Sequence, residues 1–169
     1  VVEQLMSAGK WNEIDPSKVP SLAIDRYRKV FMNESLKGIC PPHMEDTGNR
    51  HPYDANRVAL RKSLRESITT KGIQGKQLFP HEIVKKCMNG NISTMEKDLL
   101  NAMWIKMRDG VTDVISNYEK QITSNTSNNI NLGKLIPLSD VSGSMHGTPM
   151  EVSIALGILI SEVTDATYR

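Results

Sequence analysis

The stretch with the most potential for chemistry is "SDVSGSMHG", residues 139 to 147. Asp140, Ser142 and Ser144 stand at alternate positions, D-x-S-x-S. In a tight turn at the end of a strand, alternate residues can converge on one point. One carboxylate and two hydroxyls are hard oxygen donors. They suit Mg²⁺, or another divalent cation that prefers oxygen ligands and keeps several waters. The competing reading is plain: an acid and two serines that close a turn between a strand and a helix. Three catalytic readings fail on residue type. A nucleophile elbow needs G-x-S-x-G, but positions 143, 145 and 147 are Gly, Met and Gly. A P-loop needs a Lys-Ser/Thr pair after its glycines. A second acid two residues after Asp140 is absent, because Ser142 stands there. Nothing nearby supplies a general base, so the reading is of a binding protein and not an enzyme.

Other side chains invite metal or anion chemistry less strongly. "CPPHMEDTGNRH" holds Cys40, His43, Glu45, Asp46 and His51, with His81 and Cys87 further on. Their spacing matches no common zinc pattern, and the Pro-rich polar context describes a loop. His146 follows the Asp-Ser loop and reads as a solvated loop histidine. Arg57, Arg61, Lys62 and Arg65 could meet phosphates, but without interleaved aromatics they read as a solvated helix face.

Elements must position these groups. "KLIPLSD" reads as a short apolar strand ending in Asp140, with Pro137 awkward in a ladder because it has no N–H to donate. "GTPMEVSIALGILISEV" reads as a helix capped by Thr148, with Pro149 in the first turn and Glu151 closing a capping box. Its apolar residues cover most faces, so it must be buried on several sides. Strand, polar loop and buried helix in that order predict the opening of an α/β domain. Upstream, the chain reads as helical. "VPSLAIDRYRKVF" carries apolar residues at helical spacing, with Ser21 as its cap. Asp54 caps a second helix that Gly72 stops. Pro80 opens a third, and Gly90 follows its end. In the fourth, Ser93 and Glu96 form a capping box ahead of Met95, Leu99, Met103, Trp104, Met107, Val111, Val114, Ile115 and Tyr118. That stripe reads as packing, not as a ligand box. "ITSNTSNNINLG" is dominated by Asn, Ser and Thr and reads as a linker. The expected organisation is a helical region over 1–121, a linker over 122–133 and the start of an α/β domain over 134–169.

Composition adds bounds. Apolar residues make up 38% and charged residues 24%, ordinary values for a globular protein. The longest apolar run, Ile154 to Ile160, is seven residues, far short of the ~20 that span a bilayer. Two cysteines cannot build a disulfide framework, which suits a reducing, intracellular (cytoplasmic) setting. Net charge is +2, and residues 1–125 carry 19 basic against 15 acidic groups. That mild excess leaves RNA open as a partner of the helical part.

"DVSGSM" followed by "GTPMEVSIALGILISE" resembles the first metal-ion-dependent adhesion site (MIDAS) segment of a von Willebrand factor A domain. "KWNEIDPSKVPSLAIDRYRKVF", "GKQLFPHEIV" and "LLNAMWIKM" narrow the resemblance to domain-of-unknown-function family 2828. The resemblance implies a mostly α-helical N-terminal region joined to the first strand and helix of a Rossmann-type, von Willebrand A-like domain. It also implies that Ser142 and Ser144 bind the cation directly and Asp140 mainly through water. A Thr and an Asp from later loops complete the family pattern. They would lie beyond Arg169, and Asp165 and Thr167 do not replace them. The implied function is non-catalytic binding of a protein partner, whose acidic group completes the cation's shell. The architecture is also similar to that of Ro-type ring proteins, which bind RNA, and this supports the alternative of an RNA-binding protein.

Overall fold

The computed structural model describes residues 1–34, 49–74, 78–90, 92–125 and 135–164. Six α-helices occur among them: α1 (Val2–Ser7), α2 (Ser21–Phe31), α3 (Ala55–Glu66), α4 (Pro80–Met88), α5 (Thr94–Asn125) and α6 (Thr148–Val163). Short 3₁₀ turns occupy Trp11–Glu13 and Gly143–Met145, and a π-helical turn, Ser67–Lys71, prolongs α3. The described residues divide into two compact units. One comprises Val1–Leu78 with Gly90–Met103, the other Phe79–Asn89 with Trp104–Arg169.

The first unit is built on apolar residues spaced for one helix face each. Ile24 and Phe31 of α2, Leu60 and Leu64 of α3, and Leu99, Leu100 and Met103 of α5 are fully buried. Each such side chain contributes about 1.5–3 kcal/mol of transfer free energy. Asp54 caps α3 as its residue type predicts, accepting from the Asn56 and Arg57 amides at 3.1 and 3.2 Å. Gly72 ends the π-helical turn at φ +79°, a left-handed conformation that a Cβ would penalise. Ser21 is not the cap of α2. It is the first helical residue and is buried, with Pro20 preceding it. At the other end Met32 is the C-cap, and Asn33 follows at φ 46°, its amide side chain bonding to Asn49 and His51.

The Ser93 capping box forms by half. Ser93 Oγ accepts the Glu96 amide at 3.2 Å. The Glu96 carboxylate does not return to the Ser93 amide but takes Arg28 Nε at 2.6 Å. A charge-assisted bond to a cation outweighs a bond to a neutral amide. Ser93 then donates its hydroxyl to Glu34 at 2.7 Å.

In the second unit α4 and α6 pack on each other. Ile83 and Val84 are buried on α4, and Ala155 and Leu159 on α6. Phe79 donates its amide to Glu82 Oε2 at 2.9 Å, satisfying one orphan donor at the start of α4. This arrangement overturns the expected α/β start. Among the described residues there is no strand, and the sole ladder-type pairing is one isolated bridge between Glu34 and Asn49. Residues 135–140 carry no regular secondary structure, and no described segment pairs with them, so the strand expected there does not form. A strand needs a ladder partner, and an apolar run does not create one. A mostly helical region joined to the first strand and helix of a Rossmann-type, von Willebrand A-like domain is therefore not the fold observed. One face of α6, with Ala155 and Leu159, is buried on a helix where a sheet was expected, while Leu156 and Ile158 stay exposed and the burial on several sides expected from sequence does not occur.

The α5 stripe is also only partly buried. Met95, Leu99 and Met103 are inside, while Val114 and Tyr118 are exposed. The helix runs through Gly110 to Asn125, into the first part of the segment read as a linker. Residues 126–133 lie outside the described residues, as do Cys40, His43, Glu45, Asp46, Asp165 and Thr167. No helix among the described residues is long and apolar enough to cross a membrane.

Candidate functional site

The Asp-Ser loop lies between residues 135–138 and α6, and local bonds shape it. Ser142 donates its amide to Asp140 Oδ1 at 2.9 Å, an Asx-type turn. The 3₁₀ turn follows, with Met145 N–H on Ser142 O at 3.0 Å and His146 N–H on Gly143 O at 3.3 Å. Gly147 then reverses the chain into α6 at φ +91°, ψ −144°, a region open essentially only to glycine. Glycine at 147 is therefore what lets the loop enter the helix. The turn brings two hydroxyls together: Ser142 Oγ and Ser144 Oγ are 3.1 Å apart, and both residues are exposed.

Asp140 is exposed as well. The Ser142 amide, and then the Ser142 hydroxyl, hold its carboxyl below the ordinary carboxylate value. A carboxylate that accepts hydrogen bonds from a turn stays ionised to lower pH. The donor set therefore fits a hard cation. In an octahedron with 2.0–2.1 Å bonds, neighbouring oxygens are about 2.9 Å apart, close to the Ser142–Ser144 separation. No group of three His, Cys, Asp or Glu residues suited to a metal occurs among the described residues. A cation here would rest on hydroxyls and one carboxylate, not on a cage of acids.

Two supports of the loop were not legible as such. Ser139 donates its hydroxyl to Ser153 O at 3.1 Å and lies so close to Gly157 that a Cβ there would collide with its Oγ. The only trace in sequence is a glycine inside an otherwise apolar helix. Thr164, buried past the end of α6, accepts the Leu135 amide at 3.1 Å. These two contacts tie residues 135–139 to α6 and its C-terminal neighbour, and so position the approach to Asp140. Glu151, expected to close a capping box with Thr148, instead pairs with Lys85 of α4 at 3.3 Å, and Thr148 makes no capping bond. An ion pair between two helices replaces a local cap. The His146 side chain is exposed.

The basic face of α3 also differs from expectation. Arg57 lies over the Trp11 ring at 4.4 Å, a cation–π contact with a residue 46 positions upstream. Its Nε is 3.4 Å from Asp54 Oδ2. Arg61 is buried and not solvated. Of the residues named for zinc, His51, His81 and Cys87 are described. His51 donates its amide to Asn33, His81 stacks on Phe79 at 5.7 Å, and Cys87 is exposed.

The chain is similar over its whole length to an uncharacterized protein of Acanthamoeba polyphaga mimivirus, with 31% identity over 173 aligned positions. It spans 25% of that protein's length. No family model matches the chain, and no solved structure matches it.

Proposed function

We propose that the loop over residues 139–147 is a divalent-cation site through which the protein binds an acidic group of a protein partner without catalysis. Asp140, Ser142 and Ser144 hold the cation, Mg²⁺ being the best match to their hard oxygens. The observation that carries this reading is the 3.1 Å approach of the Ser142 and Ser144 hydroxyls on an exposed turn. The ionised, exposed Asp140 beside them supports it. So does the loop's sequence resemblance to a metal-ion-dependent adhesion segment. When bound, the cation supplies Lewis acidity. With a single acid in the site it stays under-neutralised, which favours a carboxylate or phosphate from outside. An intracellular setting accords with the two cysteines. The test is Mn²⁺ titration followed by paramagnetic broadening, with Asp140→Ala as comparison. Broadening of the Ser142 and Ser144 amides that disappears in Asp140→Ala is expected. Equal broadening in both proteins would remove the site.

A further inference from the structure

Helix α3 also lines a cavity. Asn49, Val58, Arg61, Lys62, Arg65, Glu66 and Thr69 line a cavity of about 510 Å³. That size suits a small molecule. Among the described lining residues, Arg61 and Lys62 bring cationic groups to it, beside the carboxylate of Glu66. Positions 58, 61, 62, 65 and 69 are separated by three and four residues, so one helix face, prolonged by the π-helical turn, presents them all.

Arg61 is the decisive residue. It is only 6% exposed. Its Nη1 donates to Asn49 Oδ1 at 3.3 Å, and among the described residues no carboxylate pairs with it. Asn49 Oδ1 also accepts from Asn33 Nδ2 at 3.0 Å, so both of its lone pairs are engaged. The guanidinium is thus oriented by a neutral amide that is itself held in place. Burying a cation without an anion is costly, and a neutral amide offsets little of that cost. A guanidinium has five donors in a planar fork that matches phosphate oxygens, and Lys62, exposed at the rim, adds a mobile charge. Val58 and the lysine and arginine stems provide an apolar wall for the rest of a ligand.

We propose that this cavity binds a phosphate group carried by a small organic molecule, with Arg61 as the fixed anchor and Lys62 as the rim contact. The inference is independent of the cation loop. The test is calorimetric titration of the full chain with inorganic pyrophosphate. Saturable binding is expected, weakening with added salt. Lys62→Gln, at an exposed position that does not threaten the fold, should weaken it about tenfold, the value of one charge-assisted hydrogen bond. Glu66→Gln should strengthen it, because an opposing charge among the described lining residues is gone. No binding, or equal binding by wild type, Lys62→Gln and Glu66→Gln, would overturn the proposal. So would binding of a short single-stranded RNA that pyrophosphate fails to displace, since the surface would then read a polymer backbone.

Discussion

Asp140 shows how a single turn sets the chemistry of a carboxylate. The Ser142 amide and hydroxyl both favour its ionised form, so its pKa falls below the ordinary 3.8. A depressed carboxylate pKa stabilises the folded loop above the unfolded value. That contribution is lost as pH falls through the folded value. Following the Asp140 carboxyl carbon by NMR during acidification should give a midpoint below 3.8. Ser142→Ala should move it part of the way back, since the amide bond remains. A wild-type midpoint at the ordinary value would show that the turn does not form. Divalent cations would be released over the same acidic range, because a proton and a cation compete for the same oxygens. The neighbouring hydroxyls do not titrate, so over this acidic range the dependence follows the Asp140 carboxylate. The three oxygen-bearing positions of the proposed cation site could be named from residue type and spacing. That Ser142 and Ser144 meet at hydrogen-bond distance follows from the 3₁₀ turn over Gly143–Met145, which spacing does not specify.

Elements follow their local signals closely where the signals are covalent or conformational, and less closely where they are hydrophobic. The helices expected from Asp54, Pro80 and Ser93 all form, because caps and proline act within one turn of chain. Burial is a different matter. The α5 stripe continues for seven turns at helical spacing, yet Met103 is 0% exposed and Val114 is 58% exposed. Periodicity shows which face is apolar but not whether a partner covers it. The consequence is measurable by denaturant unfolding. Met103→Ala should cost about 2–5 kcal/mol through the lost side chain and the cavity left behind. Val114→Ala should cost less than about 0.5 kcal/mol, as expected of a surface change. Comparable losses at both positions would mean that the second half of α5 is covered in solution. Glu96 and Glu151 teach the same lesson with charges. Each was read as the closing acid of a capping box, and each instead binds a cation from another helix.

At the scale of the whole molecule, the segment before the Asp-Ser loop leaves large apolar side chains uncovered by the described residues. Ile136 is 75% and Leu138 101% exposed, although the run they belong to has the composition of a buried strand. Adjacent exposed apolar side chains bind hydrophobic dyes. Dye fluorescence should therefore fall in the Ile136→Ser, Leu138→Ser double variant while helical circular dichroism is unchanged. Unchanged fluorescence would place the dye elsewhere and show this segment to be covered. Interactions within a few residues made the helices that open at Asp54, Pro80 and Ser93, and the Asp54 cap itself, legible along the chain. That residues 135–140 find no ladder partner among the described residues, that α6 packs on α4, and that Arg61 is buried beside a cavity came only with the fold. Pairing, burial and ion-pair choice depend on which distant residues arrive, and no spacing along the chain encodes that.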